Sequence, residues 1–240
     1  MRIDTHCHLD LFDDPIATVR AYEKAQTCCV MATMLPSHYQ MALPHLKQFK
    51  AIRPALGMHP LRAKESINEL NLFAELVNSV EYIGEIGLDF SAEGIKTKEL
   101  QMHILGRILP LIENGKFITM HSRNAHEDLF RMLDEYNVGP VCFHYFIGGA
   151  KAAERLVSKG HYISINHQML SGKHNYLIEV IPRERILVET DGPFLTKKPI
   201  ETIDDVYIRL SKAWNIDNSE TEYLIWENFN KCRTKYNGLS

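Results

Sequence analysis

The feature that most constrains this chain is the alternation of short β-rich runs with helical stretches along its whole length. The strand-like runs cover residues 2–7, 28–35, 53–58, 81–87, 116–122, 140–146, 161–166 and 185–190. The helical stretches cover residues 14–26, 37–49, 66–79, 97–114, 124–137, 150–159, 173–181 and the chain from about residue 202 onward. Eight strands alternating with eight helical stretches predict an α/β fold, a single (β/α)8 TIM barrel. A doubly wound open sheet uses the same local pattern and is the alternative.

Length and composition limit the class of protein. The 240 residues contain no linker, low-complexity segment or internal repeat, so residues 1–240 are predicted to form one domain. A net charge of −3 argues against a nucleic-acid binder that relies on bulk positive charge. Five cysteines without a CxxC pair, no signal segment and no long apolar run predict a reduced, cytoplasmic protein without a membrane partner.

Two of the helical stretches begin with residues typical of a capping box. Ser66 and Asn124 precede their helical patterns, and Glu69 and Glu127 follow three residues later. This spacing lets the first side chain cap the helix while the glutamate reaches back to it. We therefore expect these two helices to begin just after Ser66 and Asn124.

The first strand carries polar side chains that can bind a metal ion. The chain opens MRIDTHCHLD, which places Asp4, His6 and His8 at every second position. Side chains in a strand alternate between its two faces, so these three point the same way. Two imidazoles at positions i and i+2 can reach a common point, as one metal ion requires.

Further metal-capable residues fall at the carboxyl ends of the predicted strands, where barrels of this type place their active sites. They are His59, Glu85, His121, His144, Glu189 and Asp191. Each has a structural explanation by itself, such as a core histidine, an ion-paired carboxylate or a turn residue. Together, three or more imidazoles and two carboxylates at one end of a barrel suit a pair of divalent ions.

Six motifs carry a family resemblance. In order along the chain they read DTHCHLD, GMHP, GEIGLDF, MHSR, FHYFIGG and VETDGPF. This series resembles the TatD family of metal-dependent deoxyribonucleases from Met1 to about Leu195. The resemblance implies a (β/α)8 barrel that hydrolyses phosphodiester bonds, with DNA as the substrate and two divalent ions (Mg²⁺, Mn²⁺ or Zn²⁺) as cofactors.

The resemblance also implies roles for individual residues. His6, His8 and Asp191 would hold one ion, His121 and His144 the other, and Glu85 would bridge the two. Glu85 and Asp191 are the predicted catalytic residues, because Asp191 can also accept the proton of the attacking water. The predicted substrate contacts are His59 and Arg123, although Arg123 also fits a surface arginine. The predicted supports of ligands are Asp4 and Glu189, with a structural ion pair as the alternative for Glu189.

The sequence departs from the family pattern around the predicted cleft. The family usually reads close to HCFSG where this chain has His144 followed by Tyr145, Phe146, Ile147 and Gly148. No arginine follows ETDGPF until Arg209. The shortened chain, MHP followed by LRA, Leu72-Phe73 and ETDGPF without an arginine turn together resemble the TatD-like component of bacterial Qat anti-phage defence cassettes. That resemblance implies partner proteins from the same cassette.

Two other functions are compatible with the residues. An HxH motif on the first strand of a barrel also opens metal-dependent cyclic amidohydrolases, many of which bridge their metals with a modified lysine at the end of strand 4. Glu85 stands at that point here, which favours the nuclease. The other candidate is a partner-dependent or scaffold subunit that retains the metal site.

Overall fold

The computed structural model describes residues 1–233, and nine parallel β-strands run through this part of the chain. They are β1 Ile3–Cys7, β2 Cys28–Met31, β3 Ile52–Pro54, β4 Leu56–Met58, β5 Tyr82–Gly87, β6 Phe117–His121, β7 Cys142–Phe143, β8 Tyr162–Ile165 and β9 Ile186–Val188. The strands pair in chain order, as a sheet of β1 to β3 followed by a sheet of β4 to β9.

Helices connect and cover the strands. Within the described residues they are α1 Pro15–Lys24, α2 Pro36–Leu46, α3 Ala63–Ser66, α4 Leu70–Leu76, α5 Lys98–Ile108, α6 His126–Glu135, α7 Ala150–Ser158, α8 His167–Ser171, α9 Leu177–Val180, α10 Pro199–Trp214 and α11 Asn218–Cys232. Every residue of β1, β2 and β5 is buried, as expected for parallel strands with both faces covered. No helix in residues 1–233 has the length and apolar character needed to cross a bilayer.

A few isolated hydrogen bonds, rather than a regular ladder, join the two sheets at each seam. At the first seam the Asp191 N–H donates to the His6 carbonyl (2.9 Å) and the His8 N–H donates to the Gly192 carbonyl (2.7 Å). At the second, the Thr33 N–H donates to the Gly84 carbonyl over 3.0 Å. Parallel strands in sequential order, with the last beside the first, form a TIM-like barrel, although the regular ladders in residues 1–233 do not close into one ring. The predicted fold class is confirmed, because a doubly wound sheet would reverse its strand order.

The predicted strand over residues 53–58 is divided at Ala55 into β3 and β4. The side chain of Thr33 causes this break, since its Oγ1 donates to the Ala55 carbonyl (2.8 Å) and accepts from the Gly57 N–H (3.1 Å). A Cβ atom at Gly57 would lie 1.6 Å from the Thr33 carbonyl oxygen, so only glycine permits this close approach. A hydroxyl therefore takes the place of regular ladder bonds at this seam.

The two predicted capping boxes are wrong. Ser66 is the last residue of α3, and Glu69 accepts hydrogen bonds from the backbone and hydroxyl of Ser37 at the start of α2, both 2.8 Å long. Asn124 has a φ of 56°, and Ala125 is the residue before α6. Glu69 accepts from the distant Ser37 and does not cap its own helix, and Asn124 lies in a tight turn before its helix.

The helical stretch predicted over residues 173–181 contains only the short α9, Leu177–Val180. An additional short helix, α8, begins directly after β8. Its N-cap is Asn166, whose Oδ1 accepts from the N–H groups of Gln168 and Met169, both at 3.1 Å. The asparagine at the end of the ISIN strand was the available signal for this helix.

Candidate metal centre

The barrel brings the six predicted metal ligands together at the carboxyl ends of its strands. They are His6 on β1, His8 directly after it, Glu85 on β5, His121 at the end of β6, His144 directly after β7 and Asp191 beyond β9. All of them except the partly buried His121 are buried. Residues up to 185 positions apart in the chain thus meet in one cluster, as parallel strands of a barrel require.

The carboxylate of Glu85 stands between two groups of imidazoles. Its Oε1 lies 2.6 Å from His121 Nδ1 and 2.8 Å from His144 Nε2. Its Oε2 faces the Nε2 atoms of three other rings, those of His8 (3.1 Å), His59 (3.3 Å) and His6 (3.4 Å). The two oxygens of one carboxylate therefore address different sets of nitrogen ligands.

Asp191 completes the group around His6 and His8. Its Oδ1 lies 3.8 Å from His6 Nε2, and the two imidazole Nε2 atoms are 3.1 Å apart. The residue adopts a left-handed conformation with a φ of 49°, which aspartate tolerates better than most residues. A backbone conformation of this kind, held by the hydrogen bond to the His6 carbonyl, aims the carboxylate at the cluster.

Three combinations of these residues could hold a metal ion, because in each the ligand atoms all lie within 4.8 Å of one another. The combinations are His6–His8–Asp191, His6–Glu85–His144 and His59–Glu85–His121. Imidazole nitrogens with carboxylate oxygens suit Zn²⁺ and Mn²⁺, and the carboxylates also suit Mg²⁺. The donor set and its convergence therefore fit divalent ions.

Burial and charge act against each other in this cluster. Burial alone would raise the pKa of Glu85, but the surrounding imidazoles outweigh it and hold that pKa well below its usual range. Burial, together with the neighbouring His144, lowers the pKa of His6 to about 3. Burial raises the pKa of Asp191 to about 7. The centre thus favours an ionised Glu85 beside a neutral His6, which is the form in which both can bind a cation.

Polar groups behind the ligands fix the orientation of their rings. Thr119 Oγ1 lies 2.6 Å from His6 Nδ1, which leaves the Nε2 atom to face Glu85. Asp89 Oδ2 lies 2.8 Å from His121 Nε2, which leaves Nδ1 to face Glu85. Hydrogen bonds of this type set the tautomer and direction of a metal-binding imidazole.

Glu189 is buried beside His144 and is satisfied by its own set of donors. Its carboxylate accepts hydrogen bonds from the hydroxyl of Ser164, the amide of Asn166 (3.0 Å) and the backbone N–H of Tyr145 (2.9 Å). Its Oε2 lies 3.8 Å from His144 Nδ1. Glu189 therefore ties the β7 end that carries His144 to β8 and β9.

Asp4 connects the first and last strands behind the cluster. Its Oδ1 accepts from the backbone N–H of Thr190 (3.0 Å) and of His6 (3.2 Å). Its Oδ2 accepts from the hydroxyls of Thr190 and Tyr22, both at 2.6 Å. Asp4 thus touches the backbone of a predicted ligand rather than its ring, and these bonds join β1 to the segment that leads to Asp191.

The sequence predicted neither Asp89 nor Thr119. Asp89 stands four residues after Glu85 in GEIGLDF, so its place in a quoted motif was the available signal. Thr119 lies inside an apolar strand and carried no signal. His59, predicted to contact substrate, lies as close to Glu85 as the predicted ligands do. Arg123, the other predicted substrate contact, is exposed at the cleft.

A cleft of about 750 Å³ opens over the cluster. Its floor contains His8, Glu85, His121, His144 and Asp191. Apolar side chains and two arginines line the walls. The volume and mixed lining are typical of a pocket that binds a small molecule or one end of a larger one.

Comparisons with known proteins agree on one family. The profile described as "TatD related DNase" matches residues 3–233. The chain is 29% identical to an uncharacterized metal-dependent hydrolase of Buchnera aphidicola, covering 82% of this chain and 83% of that one. It is 27% identical to the human deoxyribonuclease TATDN3, covering 92% of this chain and 85% of the relative.

The fold comparison points the same way. The crystal structure of YJJV, a TatD homolog from Escherichia coli, superposes with a TM-score of 0.79 at 22% sequence identity. The superposition covers 96% of this chain and 97% of the other. At this identity the likeness concerns the fold, while the match over residues 3–233 concerns the family. The chain belongs to the family of TatD related DNases and is a metal-dependent hydrolase.

Proposed function

We propose that this protein is a deoxyribonuclease that hydrolyses phosphodiester bonds of DNA with two divalent metal ions. The observation that carries the proposal is the position of Glu85, whose two carboxylate oxygens face separate groups of imidazoles. A carboxylate in that position can bridge two ions, the arrangement used for in-line displacement at phosphorus. The human relative in the same family is named a deoxyribonuclease.

In this proposal His6, His8 and Asp191 would hold one ion, and His121 and His144 would hold the other. Glu85 serves both, consistent with its distances to the two groups. Divalent ions at such a centre lower the pKa of a water molecule and neutralise charge on phosphate oxygens. Proton transfer and phosphate binding are left to side chains of the protein.

Asp191 and Arg123 are the residues placed for proton transfer and phosphate binding. Asp191 lies beside the predicted ligands and lines the cleft, so its carboxylate can accept the proton of the attacking water. Arg123 is exposed in the cleft, and no carboxylate of residues 1–233 lies within ion-pair distance of its guanidinium. That guanidinium is therefore free to bind a non-bridging phosphate oxygen. His59 is proposed as a second substrate contact.

The test is cleavage of end-labelled single- and double-stranded DNA with Mg²⁺, Mn²⁺, Zn²⁺ or EDTA, alongside metal analysis. We expect cleavage that needs a divalent ion and is lost in Glu85→Gln and Asp191→Asn. Asp13→Asn is the matched control, because Asp13 is an exposed carboxylate away from the cleft. Stoichiometric metal binding without cleavage of any DNA would instead favour the scaffold function, and hydrolysis of cyclic amides would favour the amidohydrolase.

A narrower biological role rests on the sequence resemblance alone. We propose that the protein works in the cytoplasm beside partner proteins of a bacterial anti-phage cassette. Plating efficiency of phage on cells that carry the cassette, with wild-type protein or Asp191→Asn, tests this role. Protection lost in the variant supports a defence nuclease, whereas full protection by the variant contradicts a catalytic role in defence.

A further inference from the structure

An aromatic side chain stands exposed at the mouth of the cleft. Phe194 follows the candidate ligand Asp191 by three residues, and 60% of its surface is open to solvent. Its ring lies edge to face with the imidazole of His8, with centroids 5.2 Å apart and an angle of 78° between the planes. The exposed phenyl ring is thus in contact with the floor of the candidate metal centre.

The turn that carries Phe194 is held in place by its packing. The Leu195 N–H donates to the Asp191 carbonyl over 3.1 Å, which closes the turn around Phe194. A Cβ atom at Gly192 would lie 2.8 Å from the Phe12 ring, so the turn is pressed against a buried side chain. The ring is therefore presented to solvent by a fixed backbone, and binding to it costs little loop ordering.

The cleft offers two kinds of surface to a ligand. The floor consists of imidazoles and carboxylates, and the apolar wall includes Met34, Leu61, Tyr145, Ile147, Phe194 and Leu195. Ile147 is 46% exposed, so the wall is open at more than one point. A ligand that fits both surfaces has an anionic group for the metal centre and a flat apolar group for the wall, as a nucleotide has in its phosphate and base.

The charges around the cleft favour one strand over two. The cations lining it in residues 1–233 are Arg62 and Arg123, and Arg62 lies 3.3 Å from Glu65. The carboxylates Asp89 and Glu93 lie along the same cleft. A duplex would bring many phosphates to a wall with few cations, and its bases would already be stacked on one another. An unpaired base has a free face for an aromatic ring.

We propose that Phe194 is a specificity residue that stacks on an unpaired nucleobase of the nucleotide whose phosphodiester is cleaved. This inference rests on the proposed nuclease function and adds the part of the substrate that the wall recognises. Stacking of one base on an aromatic side chain changes affinity by about 5- to 150-fold. Phe194 thereby selects single-stranded or frayed DNA over base-free backbones of equal charge.

The experiment measures kcat/KM on two single-stranded substrates of equal length, oligothymidylate and an oligomer of tetrahydrofuran abasic units. The proteins compared are the wild type, Phe194→Ala, Phe194→Leu, Phe194→Trp and Tyr223→Ala. Tyr223 lies on α11 and is 66% exposed, so it provides a matched loss of an aromatic ring outside the cleft. Metal content and melting temperature of each variant verify that the centre is intact.

We expect the wild type, Phe194→Trp and Tyr223→Ala to prefer the base-bearing strand by about 5- to 150-fold. Phe194→Ala and Phe194→Leu should lose this preference and cleave both strands at similar rates. If active Phe194→Ala keeps the full preference for the base-bearing strand, the stacking proposal is overturned but the proposed nuclease function is not. Absence of cleavage of either strand by the metal-loaded wild type overturns the proposed function, and the inference falls with it.

Discussion

His121 lies between two carboxylates, those of Glu85 and Asp89. Among single residues, a substitution of Asp89 therefore gives the most direct test of how the metal centre is supported. Asp89 contacts the Nε2 atom and Glu85 contacts the Nδ1 atom of the same ring. Burial would raise the pKa of Asp89, but the hydrogen bonds from His121 and Ser91 outweigh it and lower that pKa to about 2. The carboxylate is therefore ionised at neutral pH and increases the basicity of the ring that faces Glu85.

Replacing Asp89 with asparagine should weaken the centre without removing a ligand. The Asp89→Asn side chain keeps an oxygen for His121 Nε2 but loses the negative charge. We expect metal affinity or kcat/KM to fall by about 10- to 100-fold. Metal titration and DNA cleavage by Asp89→Asn and the surface control Asp13→Asn measure the effect. Equal values for the two variants would show that Asp89 does not act on the metal centre.

A second prediction at this scale concerns acid stability at a histidine outside the centre. His161 is buried, and its Nδ1 accepts the Val141 N–H at 3.3 Å. Burial lowers the pKa of His161 to about 4, with Asp134 opposing the shift and Lys159 and Arg185 adding to it. The unfolded chain therefore binds this proton at a higher pH than the folded protein does. Stability is retained above the unfolded pKa of about 6.5 and decreases as the pH falls towards 4.

The size of this loss follows from the shift. About 2.5 pKa units correspond to about 3 kcal/mol of unfolding free energy across that pH range. His161→Asn keeps an oxygen for the Val141 N–H but cannot take up the proton. Urea unfolding at several pH values should therefore give a smaller decrease between pH 6.5 and 4 in the variant than in the wild type. Parallel stability curves for the two proteins would refute the assignment to His161.

At the scale of elements, the seam between β2 and β4 depends on a glycine. An alanine methyl at Gly57 would meet the backbone of Thr33, which cannot move without separating the two strands. Gly160 has a φ of 88°, but a Cβ there would have no neighbour within 4 Å. We expect Gly57→Ala to cost more than about 4 kcal/mol of stability and Gly160→Ala about 1–2 kcal/mol. Denaturant unfolding of both variants compares the two, and similar losses would contradict the role given to the seam.

The sequence predicted the order and type of these elements better than their limits. Buried parallel strands appear as short apolar runs, which is why the eight strand-like segments were recognised. The break at Ala55 was not predictable, because it depends on a hydroxyl from residue 33 that reaches the strand only in the folded barrel. The role of Glu69 was not predictable for the same reason, because its partner Ser37 lies 32 residues away in the sequence.

At the scale of the whole molecule, the convergence of the predicted ligands could be inferred from the sequence because the barrel fold was predicted correctly. Polar residues that end apolar strands meet at one rim of a barrel, so strand positions sufficed to place His6, Glu85 and His144 near each other. Asp89, which follows β5, contacts His121 on the neighbouring strand β6, whereas Thr119 on β6 contacts His6 on the non-adjacent strand β1. Strand periodicity contains no information about such contacts. The roles of the six predicted ligands remain predictions that metal analysis tests.

The same convergence predicts how metal ions should act on stability. The cluster joins residues from β1, β5 and β6 and the segments after β7 and β9. Unfolding separates these segments and destroys the site, so an ion bound to the folded protein stabilises the entire barrel. Each tenfold increase in free metal above its Kd should add about 1.4 kcal/mol per ion. For a chain of this length, 1 kcal/mol corresponds to about 2–4 °C in Tm.

We therefore expect the Tm of EDTA-treated protein to rise steadily with the logarithm of added Mn²⁺, Mg²⁺ or Zn²⁺, by about 3–6 °C per tenfold step for one ion. Glu85→Gln should flatten this dependence for both ions, because its side chain faces both imidazole groups. Asp191→Asn should affect only the ion held with His6 and His8, leaving a shallower slope. Asp13→Asn should follow the wild type. Thermal scans across a metal series distinguish these cases, and a wild-type Tm that does not respond to any of the three ions would contradict the centre as described.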